Sequence, residues 1–239
     1  FEPLTLEDIQ NIIDQEKPQG VVVQFGGQTP LKLSIPILNY IEKYNHDSYI
    51  WGTSPISIDT AEDRELFESI LTKLNIDQPK NGIARNITEA NNIANKISFP
   101  VVVRPSYVLG GRAMEVVFDQ QELNLYMTKA VKVEPDHPVL IDEYLENAIE
   151  VDVDALCDKQ GSVLIAGIME HIEPAGIHSG DSACCLPSIS LSENSLQIIR
   201  NWTKQIALSL KVIGLINLQF AVQKDYKGSE KVFIIEANP

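Results

Sequence analysis

The chain has 239 residues with a formal net charge of −14, and 44% of its residues are hydrophobic, so it can bury a substantial core as one large or two smaller domains. No Lys/Arg cluster interrupts the acidic composition, which argues against nucleic-acid or membrane-surface binding, since both need basic patches. No signal peptide and no apolar run of membrane-spanning length is visible.

In chain order, the sequence predicts a helix from Thr5 to Gln15, with Thr5 as N-cap and Asp8 three residues on. A strand from Gly20 to Phe25 follows, then a Gly26-Gly27-Gln28-Thr29 turn, a helix reaching Asn45 and a short strand at Tyr49–Trp51. Alternation of this kind indicates a parallel α/β unit. Two glycines between strand and helix suit either a phosphate or a plain turn, because no full dinucleotide fingerprint follows. A helix over Thr60–Leu74 comes next, then a strand at Asn81–Ala84, a helix at Thr88–Ile97 and the apolar strand Val101–Arg104.

The stretch from Arg104 to Met114 carries Gly110-Gly111 between Arg104 and Arg112. Backbone N–H groups of such a loop approach an anion closely, and the guanidinium groups neutralise it. The same glycine pair would equally serve a hairpin turn. Glu115–Phe118 reads as the return strand, Pro138–Glu143 as an apolar strand ending in acids, and Glu150–Ala155 as a strand whose carboxylates share one face. Val163–Glu170 is a further strand, followed by a Gly, Ser and acid-rich loop over 173–183 with little to pack and hence a surface or ligand role.

Cys157, Cys184 and Cys185 have no zinc-like or disulfide-framework spacing and point to a reducing compartment and a structural role. His171 and His178 are seven apart with no partner spacing, which argues against metal ligation.

After a helix at Ser192–Leu210, the strand Gly214–Val222 and the strand Val232–Ile235 are expected to pair as a hairpin. That pairing brings Gln219 near Glu236 and Asn238, whose one-residue separation puts them on one side of their strand. One carboxylate with two amide carbonyls suits a hard cation such as Mg²⁺, which takes the rest of its shell from water and phosphate. The alternative is that these polar residues only end a surface strand.

Taken together, Phe25 to Leu31, Arg104 to Met114, Met169 to Glu173, His178 to Ser182 and Glu236 to Pro239 closely resemble the large subunit of the carbamoyl-phosphate synthetases, members of the ATP-grasp family. The resemblance implies an α/β and α+β chain: an ATP-grasp fold preceded by part of a parallel α/β pre-ATP-grasp domain. It divides the chain into 1–75 (partial pre-ATP-grasp domain and linking helix), 76–147 (small lid subdomain) and 148–239 (large subdomain). Of the family's two synthetase halves, Pro30 after Gly-Gly-Gln-Thr and the Ser106-Tyr107-Val108 and Arg112-Ala113-Met114 pattern look like the second, carbamate-phosphorylating one.

Carried over residue by residue, the resemblance places Arg64 and Arg104 on the nucleotide phosphates and Gly110-Gly111 in the loop closing over them. Glu143 and Leu145 would line the adenine hinge, Glu150 would hold the ribose, and Gly176, Ile177, His178 and Ser179 would flank the nucleotide. Gln219, Glu236 and Asn238 match the family's metal ligands, with Arg104, Glu236 and Asn238 nearest the chemistry. Implied small molecules are ATP and carbamate with Mg²⁺ or Mn²⁺, K⁺ being a further candidate. Implied partners are the first synthetase half of the parent chain and a glutaminase small subunit, in the cytoplasm or plastid stroma, with products bound for pyrimidine and arginine biosynthesis. Other readings are another ATP-grasp ligase or carboxylase subunit, or a nucleotide-binding half without turnover. The chain begins without methionine and stops just after Asn238, so it reads as a fragment, inactive in isolation.

Overall fold

The computed structural model describes residues 2–105, 114–133, 138–173, 175 and 182–239. Its first segment holds α1 (Leu6–Glu16), β1 (Gly20–Val22), α2 (Gln28–Lys32), α3 (Ser34–Lys43), β2 (Tyr49–Trp51) and α4 (Pro55–Glu62). β1 and β2 pair in parallel with Gly20 opposite Tyr49, and a small core of Ile13, Val23, Ile37, Ile41 and Ile58 gathers around them. Thr5 caps α1 as expected, its hydroxyl accepting from the Asp8 N–H at 3.2 Å.

Where one helix is expected over Thr60–Leu74, the structure has two. Asp63 leaves helical geometry (ψ 116°) and its carboxylate accepts from the Leu66 N–H at 2.9 Å, ending α4 and starting α5 (Arg64–Leu74). Phe67 and Leu71 of α5 then join the core of the chain's C-terminal sheet.

A four-stranded sheet of order β3-β6-β4-β5 comprises β3 (Asn81–Ala84), β4 (Val101–Pro105), β5 (Glu115–Val117) and β6 (Val139–Glu143). Two helices, α6 (Ile87–Ile97) and α7 (Gln120–Val133), cover one face. Strand alternation sends Val101, Val103, Val139 and Ile141 into the core with Leu123 and Met127. The same alternation leaves Val102, Arg104, Leu140 and Asp142 on the face without helices.

The five-stranded sheet has order β11-β10-β7-β8-β9, from β7 (Ala148–Cys157), β8 (Val163–His171), β9 (Cys184–Cys185), β10 (Gly214–Lys224) and β11 (Glu230–Asn238). One face packs on α5 and α8 (Glu193–Ser209) through Val151, Val153, Ile216, Leu218, Phe220 and Val222, all fully or almost fully buried. Among the described residues, each of these two sheets therefore wears helices on one side. Residues 144–147 carry the chain from β6 in one sheet to β7 in the other.

Candidate functional site

On the helix-free face of the five-stranded sheet, register decides which polar side chains are neighbours. In the β10–β11 hairpin, Gln219 lies opposite Glu236 and Asn217 opposite Asn238. A β-bulge after Gln219 makes Phe220 pair with Ile234, so Ile235 is the extra residue and Glu236 stands on the side of Asn238, opposite the buried Ile234. On its other edge β10 pairs with β7, setting Gln219 against Asp152, Ala221 against Glu150 and Asn217 against Asp154. Gln219, Glu236, Asn238 and Glu150 thus share one face.

The centre of this face is an ordered polar network. His171 Nε2 and Asp152 Oδ2 are 2.7 Å apart, with the His171 side chain 1% and the Asp152 side chain 10% exposed. The Asn217 amide donates to Asp152 Oδ1 at 3.3 Å and to Asp154 Oδ1 at 2.9 Å. Buried carboxylates need such partners, because an unpaired one would be strongly disfavoured.

On the open face of the four-stranded sheet, Asp142 gathers two arginines. Arg64 Nη2, from the start of α5, donates to Asp142 Oδ1, and Arg104 Nε lies 3.5 Å from Asp142 Oδ2. Arg64 Nη1 is buried with no hydrogen-bond partner among the described residues. A buried guanidinium N–H aimed at nothing is uncommon and suits an anion acceptor.

Next to these arginines lies the crossing between sheets. The Glu143 N–H donates to the Lys80 carbonyl at 2.8 Å, and its carboxylate accepts from the Lys80 N–H at 3.0 Å, so Glu143 is anchored where the crossing begins. Leu145 is half-buried within it.

Gly110, Gly111, Gly176, Ile177, His178 and Ser179 lie outside the described residues. Asp142, Asp152, His171 and Asn217 were not singled out by sequence reasoning as site residues. The alternation at 150–154 signals the shared face of the carboxylates, but nothing in the spacing links His171 to Asp152.

Among the described residues no three His, Cys, Asp or Glu side chains converge as a metal cluster. The donor set at the hairpin has a different chemistry, one carboxylate and two amides, which fits a hard cation that takes phosphate oxygens and water for the rest of its shell. A shallow apolar hollow of about 440 Å³ between β8 and α8, lined by Leu164, Leu186 and Leu196, lies apart from all these groups.

Comparison with known proteins places the chain in a family. Residues 63–239 match the family model described as carbamoyl-phosphate synthase L chain, ATP binding domain, and residues 1–60 match the carbamoyl phosphate synthase preATP-grasp domain. The whole chain is 62% identical to 22% of the carbamoyl phosphate synthase large chain of Synechocystis sp.. It is 56% identical to 20% of the arginine-specific, chloroplastic large chain of Arabidopsis thaliana. The chain thus spans about a fifth of the length of these curated relatives.

Among solved structures, 98% of the chain overlays 52% of biotin carboxylase from Campylobacter jejuni, determined as a beta-gamma-ATP complex, with TM-score 0.76 at 18% identity. All of it overlays 58% of a purK N5-carboxyaminoimidazole ribonucleotide synthetase in its ADP complex, with TM-score 0.76 at 15% identity. At that identity the likeness shows the fold, an ATP-grasp fold preceded by part of a pre-ATP-grasp domain.

Proposed function

Because the chain belongs to the family of carbamoyl-phosphate synthase large chains, we propose that it is the ATP-binding unit that phosphorylates carbamate, giving ADP and carbamoyl phosphate. The observation that carries this reading is the register that gathers Gln219, Glu236 and Asn238 on the face that also holds Glu150. The choice of the second synthetase half rests on Pro30 and on the Ser106 to Met114 pattern.

A carbamate oxygen attacks the γ-phosphorus in line while the β–γ bridging bond breaks and ADP leaves. Phosphoryl transfer needs little covalent help, so positioning and charge neutralisation carry the acceleration. Arg64 and Arg104 bind phosphate oxygens from the open face of the four-stranded sheet, with Asp142 holding both guanidinium groups in place beforehand. Glu143 and Leu145 border the adenine, and Glu150 accepts from the ribose hydroxyls. Gln219, Glu236 and Asn238 would hold Mg²⁺ or Mn²⁺, which when bound neutralises charge on the β- and γ-phosphates.

On this reading 76–147 is the lid and 148–239 the large subdomain, with 1–75 a partial domain alongside. The parent protein would draw carbamate from its first half and ammonia from a separate glutaminase subunit, in the cytoplasm or a plastid stroma.

The reverse reaction tests the assignment in the full-length parent. ADP and carbamoyl phosphate should yield ATP, and Glu236→Ala should abolish this while bicarbonate-dependent ATP hydrolysis persists. The opposite pattern would move these residues to the bicarbonate-phosphorylating half.

A further inference from the structure

The first segment meets the C-terminal sheet along one seam, at the edge where Asn238 and Glu236 stand. Gln24 docks it: its Nε2 donates to the Leu215 carbonyl and to Thr53 Oγ1, both at 3.2 Å, and its Oε1 accepts from the Thr53 N–H at 3.0 Å. Thr53 Oγ1 in turn donates to the Ile213 carbonyl at 3.2 Å and accepts from the Ile213 N–H at 3.0 Å. Beyond this knot Gly26 (φ 115°) and Gly27 (φ 72°) turn the chain along the hairpin's end. Those backbone angles are open to glycine and strained for other residues.

The turn delivers Gln28, whose Nε2 donates to Asn238 Oδ1 at 3.4 Å. An amide oxygen has two lone pairs, so a donor on one leaves the other for a second partner. Without that donor, the Asn238 amide can rotate to present its NH₂ instead of its oxygen, and an NH₂ group repels a cation. Groups that orient a metal ligand from behind commonly change metal affinity by about 10–100-fold when lost.

We propose that Gln28 is a positioning residue for the metal edge, a part of the first segment that holds the Asn238 carbonyl oxygen turned toward a divalent cation shared with Gln219 and Glu236. The inference rests on the reading of those three residues as metal ligands. It makes the first segment a contributor to the site of the ATP-grasp unit rather than only a packed neighbour, and it gives the Gly-Gly-Gln sequence a role other than phosphate binding.

The test is Mn²⁺ affinity, read by electron paramagnetic resonance in the presence of ADP, in the full-length protein carrying these residues. Gln28→Ala should weaken Mn²⁺ binding about tenfold. Gln28→Met, of similar length, neutral and unable to donate, should do as much and serves if the alanine variant fails to fold. Gln24→Ala loosens the same seam but leaves the Gln28 donor in place, and should weaken Mn²⁺ binding clearly less than Gln28→Ala. Wild-type affinity in both Gln28 variants, with binding lost in Glu236→Ala, overturns the role of Gln28 and leaves the metal reading standing. Equal weakening by Gln24→Ala also overturns it, because docking alone would then explain the effect. Affinity unchanged by Glu236→Ala overturns both.

Discussion

Asp142 sits between Arg64 and Arg104, and that arrangement matters because a long guanidinium side chain loses rotamer freedom when it binds an anion. A carboxylate that hydrogen-bonds Arg64 and draws Arg104 to 3.5 Å lowers that cost on the proposed reading, in which both cations meet the phosphates. Arg104→Ala should therefore cost on the order of 2–4 kcal/mol in transition-state binding, as loss of one preorganised donor does. Steady-state kinetics of the full-length enzyme would show it as a fall in kcat/KM for ATP. Wild-type kcat/KM would instead make Arg104 a surface ion-pair residue.

At this scale the sequence was informative where chemistry shows in local context. Arg104 ends an apolar strand before a glycine pair, and Glu236 and Asn238 alternate at a strand end. Asp142, Asp152, His171 and Asn217 were not legible, because their partners lie on other elements and are set by strand register and helix placement rather than by local spacing. The 2.7 Å contact of His171 with Asp152 joins two residues that no periodicity relates.

Between residue and molecule stand the elements, and their ends carry much of their specification. The sequence reading had no helix between Glu115–Phe118 and Pro138, yet α7 occupies Gln120–Val133. Its start is signalled by Asp119 and Glu122: Asp119 Oδ1 accepts from the Glu122 N–H at 2.9 Å, while Glu122 Oε2 accepts from the Phe118 N–H at 2.8 Å. That is a reciprocal cap of the kind that begins helices, and Leu123, Tyr126 and Met127 supply the buried stripe. The C-terminal hairpin, by contrast, was readable from alternation and a polar turn, and it forms with the expected pairing.

One cap reaches across the fold. Ser192, the N-cap of α8, donates from both its N–H (3.0 Å) and its hydroxyl (2.6 Å) to Glu230 at the start of β11. Burial alone would raise the Glu230 carboxyl, but hydrogen bonds from Ser192, Ser195 and Lys224 outweigh it and hold it at about 2. A carboxyl held below its unfolded value stabilises the fold above the unfolded pKa, near pH 4.5, and that contribution is lost as pH falls toward 2. Thermal melts should show Tm of the wild type falling over this window. Ser192→Ala should lower stability at pH 7 by about 1 kcal/mol through the lost cap and flatten the dependence. An unchanged acid profile in the variant would separate Glu230 from acid sensitivity.

For the molecule as a whole, the decisive feature is that two sheets each bury one face under helices and carry charged and amide side chains on the other. The four-stranded sheet presents Arg104 and Asp142, and the five-stranded sheet presents Glu150, Gln219, Glu236 and Asn238, with residues 144–147 crossing between them. The alternation of strands and helices made the architecture legible in outline. The linkage between first segment and sheet was less so, since it depends on the side chains of Gln24, Gln28 and Thr53 meeting residues about 160–210 positions away. Arg64 belongs to α5, whose other side packs on the five-stranded sheet, so one helix ties the Asp142 cluster to that sheet.

The proposed function depends most on nucleotide binding through a divalent cation held by Gln219, Glu236 and Asn238. Calorimetric titration of the full-length protein with ADP, with Mg²⁺, with chelator, and in the Glu236→Ala variant, addresses it directly. Chelation and Glu236→Ala should each weaken ADP binding roughly tenfold or more, and chelation should have little further effect on the variant. Nucleotide affinity unchanged by both metal removal and Glu236→Ala would contradict it.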